Sequence, residues 1–234
     1  MARPSTTIPN CSTKGADDVP EPVTNASGRI LEALRTEILT GAIRPGERLR
    51  QEDIAERLGG SRIPVREALR TLAAEGLVEI EPNKGARVPQ LDRDEVETLY
   101  RMRERLEPLA LSTSLPLLEA EQIDAAERLQ ERIEAGVDVI DFLALDREFH
   151  MTTYAGCRDE QLMATIERLW NSTQHYRRAF MEAGGPGRAW VINAEHRLLL
   201  DALRQGDSEG AELHLLGHIR RTRRELSAAQ DLFE

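Results

Sequence analysis

Four side chains in the second half of this chain are of the types that hold metal ions: Asp146, His150, His196 and His218. Asp146 and His150 stand four residues apart in Phe142-Leu-Ala-Leu-Asp146-Arg-Glu-Phe-His150, a spacing that puts both on one face of a helix. His196 and His218 each fall in a different apolar-periodic stretch further on. Three imidazoles and one carboxylate from three helices can converge on a cation inside a bundle, and Zn²⁺, Ni²⁺ or Mn²⁺ would each suit such a donor set. Four protein ligands leave positions open to water or to a ligand oxygen. The competing reading is that these histidines are hydrogen-bonded core residues. His214 sits four residues before His218 and rivals it, whereas His175 follows Gln174 in another stretch and has no assigned role.

A second set of residues could read DNA. Arg62, Arg66 and Arg70 recur every four residues along one edge of the segment Ser61 to Gly76, beside an apolar stripe of Val65, Ala68, Leu69 and Leu72. Ser61 is placed to cap that helix, Pro64 falls in its first turn and Gly76 ends it. A short amphipathic stretch, Glu52 to Leu58, precedes it across Gly59-Gly60, which makes a helix-turn-helix. Leu77–Glu81 and Ala86–Val88 follow as strand-like runs bridged by Pro82-Asn-Lys-Gly85. Helix, turn, helix and hairpin together make a winged helix-turn-helix. In that arrangement Arg62 and Arg66 are expected at base edges in the major groove, with Ser61 beside them at the start of the recognition helix. Arg50 is expected at phosphate or a base edge, and Lys84 and Gly85 at the minor groove. The alternative is a solvated helix face.

The elements around these residues fit a mainly α protein. The chain has 234 residues, few aromatics and a formal net charge of −10. Residues 27–90 carry 11 basic and 10 acidic side chains, and residues 91–234 carry 18 and 28, so the acidity belongs mainly to the second half. Residues 1–26, rich in Pro, Ser, Thr and Asp, read as a disordered tail. Residues 27–90 read as the winged head, with a first helix from a Ser27 cap to about Thr40. Residues 91–234 read as an all-α bundle, with helices at about 92–113, 119–135, 138–156, 159–181, 186–206 and 207–230. Cys11 and Cys157 have no metal or redox spacing, and no apolar run approaches the roughly 18 residues that a membrane span needs. A cytoplasmic protein with no membrane partner is expected.

The head resembles that of the GntR family of transcription regulators. The residues that carry the likeness are Leu49-Arg50-Gln51, Ile54-Ala55, Leu58-Gly59, Ser61-Arg62, Pro64 to Leu69 and Glu75-Gly76-Leu77-Val78. Gly60 departs from the family, which usually has an apolar residue there. The bundle resembles the FCD ligand-sensing domain of the FadR subgroup, and its six helices look more like the VanR branch than FadR itself. That resemblance implies that Asp146, His150, His196 and His218 bind the metal. It also implies that Arg103 points into an effector cavity, although the same side chain could simply pair with Glu107 at i+4. Asn171 and Asn193 are further candidates for effector contact.

Three classes of function follow. The first is a metabolite-responsive regulator of the repressor kind that binds an inverted-repeat operator as a homodimer and senses a small organic acid. The second is a metal-dependent enzyme using the Asp/His₃ site to activate water. The third is a helical interaction module. No carboxylate is clearly placed as a general base, and a winged head has no evident use in an enzyme.

Overall fold

The computed structural model describes residues 23–81, 85–184, 189–229 and 232–233. The chain begins with α1 (Val23–Leu39), β1 (Arg48–Leu49), α2 (Gln51–Leu58) and α3 (Arg62–Ala74), followed by β2 (Glu79–Glu81) and β3 (Gly85–Arg87). Six long helices follow: α4 (Arg93–Ser114), α5 (Ala120–Glu134), α6 (Val139–Thr153), α7 (Glu160–Gly184), α8 (Ala189–Gln205) and α9 (Ser208–Ala228). The fold is mainly α, a winged helix-turn-helix followed by a helical bundle.

The head has its own apolar core. Ile30, Leu34 and Ile38 of α1 meet Ile54 of α2, Val65, Leu69 and Leu72 of α3, and Ala86 and Val88 of the wing. Gly59 adopts φ +64 and lets α2 turn sharply into α3. The missing side chain at Gly60 is answered by α1, since a Cβ there would lie 2.8 Å from Ile30 Cδ1. The wing is a three-stranded antiparallel sheet in the order β1-β3-β2, with Arg48 opposite Arg87 and Ile80 opposite Ala86. Its first strand was not expected, because two residues are too short to show alternation.

Helix ends and caps differ from expectation in several places, and α6 stops at Thr153, short of the expected 156. α1 begins at Val23, so a Ser27 cap is wrong and the helix reaches into the stretch read as tail. Ser61 occupies the N-cap position of α3 with extended backbone, yet its side chain makes no capping hydrogen bond. α7 runs on to Gly184, past the expected end at 181. Residues 1–22, and Lys84 at the wing tip, lie outside the described residues.

The bundle forms a second core in which α4 packs on α9, α5 on α6 and α8 on α9. Asp92 starts α4 with a reciprocal capping box, its carboxylate accepting from Glu95 N–H and Glu95 accepting from Asp92 N–H, both at 2.8 Å. α7 ties the two halves together. Tyr176 Oη donates to the Leu91 carbonyl and accepts from its N–H, both at 2.7 Å. Asn171 Nδ2 donates to the Glu75 carbonyl at 2.8 Å, where α3 ends. The Arg178 guanidinium donates to the Thr40 carbonyl and lies where a Cβ at Gly41 would be, and φ +75 at Gly41 is a conformation that favours glycine.

Candidate metal centre and nucleic-acid face

The register of α3 sets the nucleic-acid face. Burying Val65, Ala68, Leu69 and Leu72 turns Arg62, Arg66 and Arg70 outward, all exposed. A groove of about 600 Å³ between α3 and the wing is lined by Arg48, Arg50, Arg66 and Arg70 together with Gly85. Arg62 forms an ion pair with Glu52 at 3.1 Å. This exposed pair costs little to exchange for a contact elsewhere. Gly85 has φ +92, and a Cβ on it would stand 2.6 Å from the Leu49 carbonyl. Only glycine lets β3 approach β1 this closely, whatever Gly85 does at DNA. Arg48 was missed as a groove residue because its strand was.

Inside the bundle, Asp146 and His150 of α6 meet His196 of α8 and His218 of α9. One donor atom from each lies within 4.8 Å of all the others. Bonds of about 2.0–2.2 Å to a central ion put donors no more than about 4.4 Å apart, so only slight contraction is needed. Asp146, His150 and His196 are each 1% exposed. Both ring nitrogens of His150, and Nε2 of His196, are buried with no hydrogen-bond partner. Buried polar atoms are normally paired. Unpartnered ring nitrogens beside a carboxylate fit a cation between them better than they fit a closed core.

Neighbouring side chains fix the other donors. His196 Nδ1 lies 2.7 Å from Gln130 Oε1, a carbonyl that can only accept, so the proton sits on Nδ1 and the Nε2 lone pair faces the cluster. Gln130 is held in turn by donating to Asn193 Oδ1 and Glu134 Oε1, each at 3.0 Å. His218 Nδ1 donates to Glu195 Oε2 at 2.8 Å, which frees its Nε2 in the same way. Such outer partners orient metal ligands in proteins generally. Asp146 Oδ2 accepts from the Arg177 guanidinium, while Oδ1 lies 3.5 Å from His196 Nε2.

Electrostatics keep Asp146, His150 and His196 deprotonated. Burial pushes the His150 imidazole well below its ordinary range, more than Asp146 raises it. Burial, reinforced by His218, takes His196 down to about 3. Burial opposes the charge of Asp146, but the Arg177 guanidinium and the three rings outweigh it and hold the carboxyl well below the usual range. Burial likewise opposes Glu195, and hydrogen bonds from Arg221 and His218 bring it to about 2. Free space beside the cluster amounts to about 30 Å³, lined by Asp146, Arg177, His218 and Arg221 among others. That is room for a water.

The remaining candidates are placed as follows. Arg103 is buried, donates to Glu107 Oε1 at 2.5 Å, and lies 4.1 Å over the Trp170 ring, which itself stands 5.4 Å from His150. Arg177 covers the same indole at 4.4 Å. Asn193 reaches the cluster only through Gln130. Asn171 is not at the cluster; its amide joins Glu75 to Arg147 at the head–bundle junction. His175 packs on Tyr176 and Arg178, and His214 is outside the cluster. Gln130, Glu195 and Arg177 escaped sequence reasoning; Glu195 alone carried a signal, being adjacent to His196.

Comparison with known proteins agrees with both halves. Residues 26–88 match the family described as "Bacterial regulatory proteins, gntR family", and residues 98–221 match the FCD domain. The HTH-type transcriptional regulator McbR of Escherichia coli K12 is 31% identical over 193 residues, 80% of this chain and 85% of that protein. A probable D-xylose utilization operon transcriptional repressor of Paenarthrobacter nicotinovorans is 30% identical over 199 residues, covering 84% and 86%. The solved structure of E. coli McbR/YncC aligns with a TM-score of 0.74 at 26% identity, over 86% of this chain and 96% of that one. These matches are to DNA-binding transcriptional regulators and not to enzymes, which removes the metalloenzyme reading. The chain belongs to the GntR family of bacterial transcriptional regulators, with an FCD domain as its helical half.

Proposed function

We propose that this regulator is a cytoplasmic, homodimeric repressor whose bundle holds a divalent metal and senses a small organic acid. The observation that carries the reading is the four-donor cluster with its bare, buried ring nitrogens. Asp146, His150, His196 and His218 would hold the ion, and Zn²⁺, Ni²⁺ or Mn²⁺ would fit. Once bound, the ion would offer a Lewis-acidic centre to an anionic ligand oxygen. Arg103 and Arg177, both stacked on Trp170, support anion recognition there. Repression is supported by the D-xylose utilization operon relative, itself described as a transcriptional repressor. Among the described residues no helix is long and apolar enough to cross a membrane.

Dimerisation is supported by reach. One recognition helix reads only a few base pairs, so two heads on an inverted repeat give the specificity a regulator needs. Coupling is supported by the small size of the metal cavity. A space of about 30 Å³ admits an organic acid only if α6, α7 and α9 part. α7 also carries Asn171, Tyr176 and Arg178, which hold the head. An acid that prefers the parted bundle therefore shifts the population of head positions. Titration of candidate acids against labelled operator tests this. A shift of about 5–150-fold in operator affinity is expected, lost in Arg103→Ala, and an acid that binds tightly without changing operator affinity would contradict it.

A further inference from the structure

A ligand-sized hollow lies away from both the metal cluster and the arginine-lined groove. A cavity of about 580 Å³ opens between the head and the bundle, with α1 and the end of α3 on one side and α6 and α7 on the other. Pockets for small molecules commonly measure about 300–1,000 Å³ and favour domain interfaces. Leu39, Ile140, Leu143 and Met151 give this one an apolar wall, and Ile140 is 51% exposed at its edge.

Its polar groups are incompletely matched. Arg147 is half-buried and donates through Nη1 to Asn171 Oδ1 at 2.6 Å; Glu167 and Glu75 attract it across the cavity, but neither forms a close ion pair with it among the described residues. Arg35, on the facing wall, is already held by Glu75 and Glu32. Gln174 is 7% exposed, and its Oε1 is buried without a donor. Glu148 and Glu167 are exposed at the rim. An unsatisfied guanidinium asks for a carboxylate, an unsatisfied amide oxygen asks for an N–H or O–H, and rim carboxylates favour a cation.

We propose that this junction cavity is a second ligand site, for an α-amino acid with an apolar side chain. The carboxylate meets Arg147, the ammonium faces the rim carboxylates and takes the Gln174 amide oxygen once that amide turns toward the cavity, and the side chain lies on Leu39, Leu143 and Met151. Such a ligand touches the head and the bundle at once, beside the Asn171 amide that holds the end of the recognition helix. The site is separate from the metal centre in donor set and in position.

Calorimetric titration of the full-length protein with leucine tests the proposal, with 2-hydroxy-4-methylpentanoate and 4-methylpentanoate as comparison probes. Saturable binding is expected, tightest for leucine. At least about tenfold loss is expected both in Arg147→Gln and in Ala144→Trp, which fills the cavity while keeping the guanidinium. Leucine binding should persist in wild-type protein stripped of metal by a chelator. Binding that survives both cavity variants, or that disappears with the metal, would overturn the site. Absence of saturation by leucine in the wild-type chain, or tighter binding of the hydroxy acid, would overturn the amino-acid assignment. Because the metal-stripped arm is read separately, failure here leaves the organic-acid reading of the metal centre standing, and the reverse also holds.

Discussion

Gln130 makes no contact with the space where an ion would sit, yet replacing it by leucine is expected to weaken metal binding. Its Oε1 is the acceptor that keeps the proton of His196 on Nδ1, at 2.7 Å, and its own amide is locked by Asn193 and Glu134. Leucine fills similar volume in this fully buried position but cannot accept. His196 then loses both the tautomer and the orientation that aim Nε2 at the other donors. Removal of such an outer partner typically lowers metal affinity about 10–100-fold, or about 1.4–2.7 kcal/mol. The metal-free protein is expected to lose about 1–3 kcal/mol as well, because the Nδ1–H becomes a buried, unsatisfied donor. Competition with a chelator measures the first quantity, and urea unfolding of stripped protein measures the second. Metal affinity within about twofold of wild type, together with clear loss in His196→Ala, would refute the orienting role.

Two further outcomes follow from the same structure. Arg66→Ala should weaken operator binding by about 1–3 kcal/mol and relax preference at one base pair, and equal loss on operator and random DNA in a gel-shift series would reduce Arg66 to a phosphate contact. Metal-free protein should lose stability on acidification. The unfolded chain protonates His150 and His196 near pH 6.5 while the folded core resists, so the unfolded state binds more protons below that pH and stability falls toward the folded values. For two such groups the slope reaches at most about 2.7 kcal/mol per pH unit. Urea midpoints that stay flat between about pH 7.5 and 5.5 would contradict neutral buried rings.

Local spacing made some of this architecture legible. Four-residue periodicity in Arg62, Arg66 and Arg70, set against the stripe of Val65, Leu69 and Leu72, determined which side of α3 faces out. The Asp146/His150 pair was readable for the same reason. That His196 and His218 meet that pair is a tertiary fact, anticipated through resemblance to a family and not through any periodicity. Gln130, Glu195 and Arg177 act on the cluster from three different helices, and no local pattern distinguishes them from ordinary polar residues. Asn171 shows the limit clearly. On α7 it faces the head, while Trp170 and Arg177 face the cluster, and the sequence of a helix with two partners does not reveal which residue serves which. β1 was invisible because a two-residue strand exists only through its pairing with β3.

The account rests on the claim that four residues from three helices form one metal centre inside a DNA-binding regulator. Elemental analysis of the purified full-length protein, run beside the double variant His150→Ala/His218→Ala, addresses it most directly. About one divalent ion per chain is predicted for the wild type. The variant should carry almost none, with a lower unfolding temperature, since the energy of binding is also energy of folding. Equal metal content in both proteins, or a wild-type chain that takes up no ion after incubation with Zn²⁺, Ni²⁺ and Mn²⁺, would contradict the claim.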